Sequence, residues 1–385
     1  MKGFLSGVFL YAILWLCFVG CREPFEPAVT DVDYQFLVVE GYLEVGSSGS
    51  KISLSRTTPI YSDIRSLPVS NAIVEVEGTA SGNWIFSQRV LGEYILYEAL
   101  PPNQNYRVRI TTPTAEYLSE EISPMDTPED MEVNYEHRNG GVSIFASTTG
   151  TENARYFIWE YEEDWEYRSP YQNFYYYDSA SNSVLSTPFN QIVLSCFQSD
   201  VSTRIILESA DRFQGNRISR KEITRIDSLS EKLGQRYSIL VKQRAIDQDA
   251  FVFWDGMRKN SDDIGGIFSP LPSLINSNVN NLTNPAEPVI GYISAGQTIE
   301  KRMYIDSREL GPWRVSISEY QNCALDTVTM DDYNDYFVLN NYVPVLPICD
   351  DGPICTTYLS STVNCTDCRL RGNANPPSFW EEYEF

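Results

Sequence analysis

The chain has 385 residues, of which 52 are acidic and 29 are basic, so its formal net charge is −23. Such a surface repels nucleic-acid phosphates and anionic lipid head groups, and with no basic patch in the sequence we expect no nucleic-acid binding. Aromatic residues make up 13% of the chain, too many for a disordered polyanion, and the length predicts two or three domains with real cores.

The first twenty residues have the pattern of an export signal. Lys2 precedes an uncharged run over residues 4–19, and Gly20 leads into Cys21. The run is too short to span a bilayer and ends at a charged, proline-containing segment. It resembles a bacterial lipobox, so we expect residues 1–20 to be removed and Cys21 to carry lipid such as palmitate. A plain secreted protein and a retained anchor are the alternatives.

Six cysteines follow Cys21, namely Cys196, Cys323, Cys349, Cys355, Cys365 and Cys368. In an exported protein an even set predicts disulfides, and six cysteines allow 15 pairings that the sequence cannot choose among. The preferred pairing joins neighbours at the C-terminus and leaves Cys196 with Cys323. A zinc site and a redox-active Cys365–Cys368 pair are the alternatives, and both need reduced thiols.

Residues 21–33 are predicted to form a proline-containing tether, which at about 3.3 Å per extended residue reaches about 40 Å from the bilayer. Residues 34–123 alternate short β-branched or aromatic runs with turn formers and show no helical period. This pattern predicts a compact antiparallel β-sandwich. The predicted strands are residues 35–44, 51–56, 72–77, 84–88, 93–97, 106–111 and 117–122. The segments VSNAIVEVEG, LGEYIL and NYRVRI resemble the transthyretin-like or carboxypeptidase-regulatory sandwich.

A linker over residues 124–130 leads into a second β-rich domain, residues 131–339. There Phe157, Trp159 and Tyr161 share one face of a strand at period two, and a hairpin is predicted across residues 139–141. One helix is predicted over residues 247–260 with Asp247 as its N-cap. Residues 340–385 are predicted to be a cysteine-rich cap with little regular structure.

The sequence contains no strong catalytic motif. His137 is the single histidine and lies beside a turn, which argues against histidine-based nucleophiles and metal sites. The acids Glu160, Glu162, Glu163, Asp164 and Glu166 lie among aromatic residues, as in a glycosidase cleft. Consecutive acids on a strand alternate sides, however, so the pattern favours one aromatic and one acidic face over catalysis.

No cofactor is predicted, although calcium stays an alternative. Two acidic stretches could offer oxygen ligands, Asp331, Asp332, Asn334 and Asp335 in one and Asp262 and Asp263 in the other. Neither has the spacing of a calcium loop, so solvated acids are the simpler interpretation.

An aromatic insertion over residues 167–188 is the best candidate for partner binding. It contains Tyr171, Phe174, Tyr175, Tyr176 and Tyr177. Tyrosine offers a broad contact area with a hydrogen-bonding tip, which suits a protein or ligand contact. Packing of the insertion on its own domain is an equally good interpretation.

Five segments in one order carry a resemblance to a known family. They are FLVVEGYL (residues 36–43), NAIVEVEG, LGEYIL, PVIGYISAG (288–296) and CTDCRLRGNANPPSFW (365–380). Together they resemble the Bacteroidota outer-membrane lipoproteins designated domain of unknown function 4249. Glu23 and Glu26, soon after Cys21, resemble the surface-export signal of that group.

The resemblance implies a surface lipoprotein, facing the cell exterior, that assists a TonB-dependent outer-membrane receptor in nutrient uptake. It implies no catalytic residues. Two alternatives remain: a subunit of outer-membrane assembly or export machinery, and a surface glycan hydrolase using Glu162 and Glu163.

Overall fold

The computed structural model describes residues 35–58, 64, 66–262, 277–349 and 355–380. The predicted signal at residues 1–20, the tether with Cys21, and Asp263 lie outside these ranges. The described chain is mainly β. Its first nine strands are β1 Leu37–Glu44, β2 Ser50–Arg56, β3 Leu67–Pro68, β4 Ile73–Gly78, β5 Asn83–Ile85, β6 Ser87–Val90, β7 Glu93–Leu96, β8 Tyr106–Thr111 and β9 Glu116–Ser119.

The remaining elements follow in two groups. The next are β10 Glu132–Arg138, β11 Gly141–Thr149, β12 Tyr156–Tyr167, β13 Tyr175–Asp178, β14 Ser183–Ser186, β15 Cys196–Val201, β16 Ile206–Ser209, β17 Arg217–Ile226, β18 Arg236–Ile246 and helix α1 Gln248–Asp262. The last are β19 Val279–Asn281, β20 Ile290–Gly296, β21 Thr298–Asp306, β22 Asp326–Thr329, β23 Tyr342–Ile348, β24 Thr357–Thr362 and the short helix α2 Val363–Thr366.

Two sheets form a first sandwich. One has the strand order β20-β1-β2-β7-β6, with β3 beside β2, and the other has the order β19-β9-β8-β4-β5. Alternate residues of strands such as β1 enter the core, as Leu37, Val39 and Leu43 do. The predicted sandwich is therefore confirmed as a fold.

Its predicted boundaries, residues 34–123, are wrong because β19 and β20 complete the two sheets. These strands come from the segment assigned to the second domain, and β20 pairs with β1 in parallel. Gly291 makes this pairing possible, since a Cβ there would lie 1.8 Å from the carbonyl oxygen of Val39. A three-residue strand such as β19 has no pattern that separates it from a loop.

A second sandwich encloses another core. The sheets β10-β11-β17 and β15-β12-β18-β21 share it, with β16 on β12. Phe157 and Trp159 are buried there and Tyr161 packs against them, as the period-two pattern predicts. The indole of Trp159 donates to Gln243 Oε1 at 3.0 Å, which satisfies a buried polar group.

Helix α1 covers the other face of β12. Asp247 caps its N-terminus by accepting from the amide of Ala250 at 2.7 Å, as predicted. Phe251, Phe253 and Trp254 pack with Ile158 of β12 and with Tyr292 of β20. The helix therefore contacts both sandwiches.

The predicted C-terminal cap has more regular structure than expected. Strands β22, β24 and β23 form a three-stranded sheet, and the hairpin β13–β14 packs against the same small core. That core joins residues near 175 to residues near 333 and 358, a pairing between distant segments that local patterns do not encode. Because β22 comes from the segment assigned to the second domain, the predicted start of the cap at residue 340 is wrong. We call residues 326–349 and 355–380 the cap.

Candidate functional site

The candidate site is the hairpin β13–β14 together with the cap that supports it. Tyr176 pairs with Leu185 and Tyr177 with Val184. The turn is closed by Asp178, whose carboxylate accepts from the backbone amide of Ser181 at 3.1 Å. The hydroxyl of Ser181 also donates to this carboxylate, and this hydrogen bond, together with the backbone one, holds the pKa of Asp178 below its ordinary value. Because side chains alternate across the strands, the hairpin has two different faces.

One face packs on the cap. The ring of Tyr175 lies 5.9 Å from that of Tyr358, and the ring of Tyr177 lies 5.7 Å from that of Tyr333, measured between centroids. Burial raises the pKa of Tyr333 to about 12, so its phenol stays neutral, and it donates to the carbonyl of Thr356 at 2.9 Å. This aromatic cluster fixes the hairpin on the cap.

The opposite face is exposed. Phe174, Tyr176 and Leu185 keep 43%, 42% and 41% of their surface in solvent, and Phe189, just after β14, keeps 93%. We call these four residues the aromatic face. It is an apolar surface on a chain of strongly negative charge.

The five predicted partner-binding residues therefore divide. Tyr175 and Tyr177 are anchors of the hairpin, and the Tyr171 backbone amide donates to the carbonyl of Cys365 at 3.1 Å. Phe174 and Tyr176 are exposed. Leu185 and Phe189 were missed, although the alternation of a hairpin over residues 175–186 would have placed Leu185 opposite Tyr176.

The six cysteines form three disulfides, which confirms the predicted chemistry. Cys349 pairs with Cys355, as neighbours were expected to do. The predicted pairing of Cys196 with Cys323 is wrong, because Cys196 pairs with Cys368 and Cys323 with Cys365. The two cysteines of the Cys365–Cys368 motif belong to different bonds, so they form no redox-active pair. The bonds Cys196–Cys368 and Cys323–Cys365 join residues 172 and 42 positions apart, and spacing cannot reveal such pairings.

The segment around Arg371 ties the cap to the second sandwich. Its guanidinium lies between the rings of Tyr167 and Tyr320, 5.0 Å from each centroid. It also binds both carboxylate oxygens of Glu231, at 3.0 and 2.8 Å. A bidentate, stacked arginine is a geometry that lysine cannot supply. These contacts give the CTDCRLRG segment a structural role.

The carboxylates of Glu162 and Glu163 do not converge. Glu163 is buried on the core face of β12, where it accepts from the hydroxyl of Tyr237 at 2.7 Å and pairs with Lys232. Glu162 points to the other face and pairs with Lys242 at 2.6 Å. Two carboxylates on opposite sides of a sheet cannot flank one glycosidic bond, so this pair does not have the geometry of a glycosidase.

The other candidates are separate from the hairpin. His137 is exposed at the end of β10, its ring 5.9 Å from that of Trp313, beside the predicted turn. Asp332 accepts from Thr329 at 2.7 Å, and the backbone carbonyl of Asp335 accepts from Asn340 at 2.8 Å. Within the described ranges, no three histidine, cysteine or acidic side chains are grouped as a metal ion would require.

Residues 22–302 match the family model described as Domain of unknown function (DUF4249). The chain belongs to this family. The DUF4249 match includes both sandwiches up to β21 and the hairpin β13–β14. It ends before Cys323 and the C-terminal cap, so the segment 365–380 as a mark of DUF4249 stays a prediction.

Similarity to proteins outside the DUF4249 family is weak. No curated protein matches the chain. A two-domain fibronectin type III segment of chicken tenascin is 8% identical, with a TM-score of 0.15, over 54% of this chain and 89% of that one. The first three fibronectin domains of chicken CNTN1 are 13% identical, with a TM-score of 0.20, over 55% of this chain and 62% of that one. In the described part of the DUF4249 chain, no helix has the length and apolar character needed to cross a membrane.

Proposed function

We propose that this DUF4249 chain is a non-catalytic outer-membrane lipoprotein, facing the cell exterior, that binds a TonB-dependent receptor as an accessory in nutrient uptake. The observation that carries the proposal is the aromatic face, which is apolar, exposed and held by a cap with three disulfides. The cores of protein interfaces are rich in aromatic residues and poor in charged ones.

The support behind the aromatic face favours binding. Tyr175, Tyr177 and Val184 are already packed on the cap, so the hairpin loses little conformational freedom when a partner covers its other face. A preorganised surface keeps more of its contact energy as affinity. Phe189 is the natural anchor, since a largely exposed phenylalanine gains the most from entering a pocket.

Attachment through a lipid on Cys21 fits the charge of the chain. With a net charge of −23, the protein is repelled by anionic head groups and needs another means of staying at a membrane. Metabolic palmitate labelling should mark the protein, and Cys21→Ser should release it into the soluble fraction. An unlabelled protein, or a Cys21→Ser variant that stays on the membrane, would contradict the anchor.

The receptor is tested by mild detergent extraction and mass spectrometry of what copurifies. We expect one large β-barrel of the TonB-dependent class at near-equal amounts. Recovery of a barrel from the assembly or export machinery, with growth defects independent of nutrient supply, would support the alternative function instead. A monomer at native abundance would contradict both.

Substitutions connect the interaction to the aromatic face. Phe189→Ser and Tyr176→Ser should each reduce recovery of the barrel by about tenfold, as expected for an interface anchor. Tyr97→Ser is the matched control, because Tyr97 is 66% exposed on the first sandwich. Equal recovery with all three variants would place the interface elsewhere.

A further inference from the structure

A cleft lies where the first sandwich meets the second. Two adjoining cavities of about 250 and 760 Å³ share Lys51, Glu160 and Arg244 in their walls. One wall is the outer face of β1 and β2, and the other is the outer face of β12 and β18. We call this space the inter-sheet cleft. Ligand sites occur preferentially at such junctions.

Strand alternation places polar side chains in the cleft. Val39 and Leu43 of β1 enter the core of the sandwich, so Tyr42 between them points outward. Ile293 and Ala295 of β20 enter the same core, which directs Ser294 outward in the same way. Trp254 of α1 supplies an aromatic wall.

Arg244 is fixed at the centre of the cleft. Its guanidinium lies 4.5 Å from the ring centroid of Tyr42, donates to Thr298 Oγ1 at 2.9 Å and pairs with Glu160 at 3.0 Å. Its Nη2 also lies 3.6 Å from Glu44 Oε1, so the guanidinium is held on several sides in one orientation. The donors and acceptors of the cleft are therefore positioned before any ligand arrives.

Ser294 points to a ligand independently of these charges. It is 5% exposed, and its hydroxyl has no hydrogen-bond partner among the described residues. A buried hydroxyl without a partner destabilises a fold, so its presence on the cleft wall calls for a compensating contact.

Both signs of charge line the cleft. The acids are Glu40, Glu44, Glu129, Glu160, Glu162 and Glu300, and the bases are Lys51, Lys242, Arg244 and Lys301. An anionic ligand is repelled by the first set and a cationic ligand by the second. Neutral hydroxyl groups, which both donate and accept, can satisfy both sets, and Trp254 offers a surface for an apolar ring face.

We infer that the inter-sheet cleft binds a neutral saccharide, with Trp254 against the sugar ring and with Arg244, Glu160 and Ser294 bonded to its hydroxyls. The hairpin β13–β14 contributes no residue to the lining of the cleft. Saccharide binding can therefore be confirmed or refuted independently of receptor binding.

The test is isothermal titration of the full mature chain with short neutral oligosaccharides derived from starch, cellulose, mannan and galactan. Oligogalacturonate serves as the anionic probe and oligomeric glucosamine as the cationic probe. At least one neutral series should bind, and more tightly than either charged probe. Failure of every neutral series, or preference for a charged probe, would overturn the inference.

Two variants assign the site. Trp254→Ala should weaken binding by about tenfold, whereas Trp84→Ala, on the first sandwich away from the cleft, should leave it unchanged. Ser294→Ala removes a hydroxyl that the fold does not use, so it should weaken binding several-fold while the melting temperature stays equal or rises. Unchanged affinity in both cleft variants, or a Ser294→Ala variant that loses stability and keeps its affinity, would refute the site.

Discussion

Gly372 lies where the C-terminal segment crosses β15. A Cβ at this position would lie 2.5 Å from the carbonyl oxygen of Phe197 and 2.8 Å from the hydroxyl of Tyr167. Gly372→Ala should therefore lower the free energy of unfolding by about 1–3 kcal/mol, the usual cost of overpacking. Denaturant titration measures it.

Gly256 in α1 is the matched control for Gly372. Among the described residues, an added Cβ would meet no atom within 4 Å apart from the backbone of its own helix, so Gly256→Ala should stabilise the protein by about 0.5–1 kcal/mol through helix propensity. If both alanine variants shift stability alike, the close approach at Gly372 does not constrain the fold.

Ionisation of Asp367, in the same segment, makes the stability of the protein depend on pH. The side chain of Arg369 donates to it at 2.8 and 2.7 Å, and these hydrogen bonds hold the pKa of Asp367 below its ordinary value of 3.8. A carboxyl with a lowered folded pKa stabilises the protein above its unfolded pKa and loses that contribution as the pH falls through its folded pKa.

Asp367→Asn should therefore cost stability at neutral pH, and the difference from the parent should shrink as the pH falls below about 4. Free energies of unfolding measured for both proteins at a series of pH values give this difference directly. A constant difference down to the lowest pH would mean that ionisation of Asp367 makes no contribution.

Among the larger elements, the cap is stabilised by disulfides of very different loop length. Cys196 and Cys368 are separated by 172 residues, whereas Cys349 and Cys355 are separated by 6. Loop entropy predicts that opening the first bond costs about 5 kcal/mol and opening the second about 2 kcal/mol. Melting of the two Cys→Ser double variants should show this order, and the reverse order would mean that strain or packing dominates.

Elements with nearby partners could be predicted from the sequence. Asn139 and Gly140 both have positive φ, 54° and 72°, and close the hairpin β10–β11 at the predicted position. The N-cap at Asp247 and the core face of β12 were also predicted correctly. In each case the deciding interaction lies within a few residues, so a local pattern carries the information.

Pairings between distant segments could not be predicted. Strand β20 pairs with β1 across some 250 positions, as Val38 opposite Ile290 shows, and nothing near either segment specifies the other. The division of the aromatic insertion into packed and exposed residues also depends on contacts between distant segments. Tyr175 and Tyr177 are anchors because their rings contact Tyr358 and Tyr333 of the cap. These contacts join distant segments, so they exist only in the folded chain.

At the scale of the whole molecule, one stretch of chain joins the two sandwiches. Strand β20 is at the edge of a sheet of the first sandwich, and after Gln297 the chain continues as β21 at the edge of a sheet of the second. Helix α1 contacts both, and Arg244 of β18 stacks on Tyr42 of β1. The inter-sheet cleft exists only because these connections hold the two sheets at a fixed separation.

The same connection predicts that the first sandwich cannot fold from its N-terminal strands alone. A fragment of residues 35–130 lacks β19 and β20, so it loses Val279, Ile293 and Ala295 from the core and leaves β1 and β9 as unpaired edges. We expect it to show no cooperative unfolding by circular dichroism. A peptide of residues 277–297 added in trans should restore the transition, and the same peptide with Ile293→Ser should not. A fragment that unfolds cooperatively without the peptide would contradict this prediction. It would show that β1–β9 form a complete domain and that β19 and β20 are dispensable edge strands.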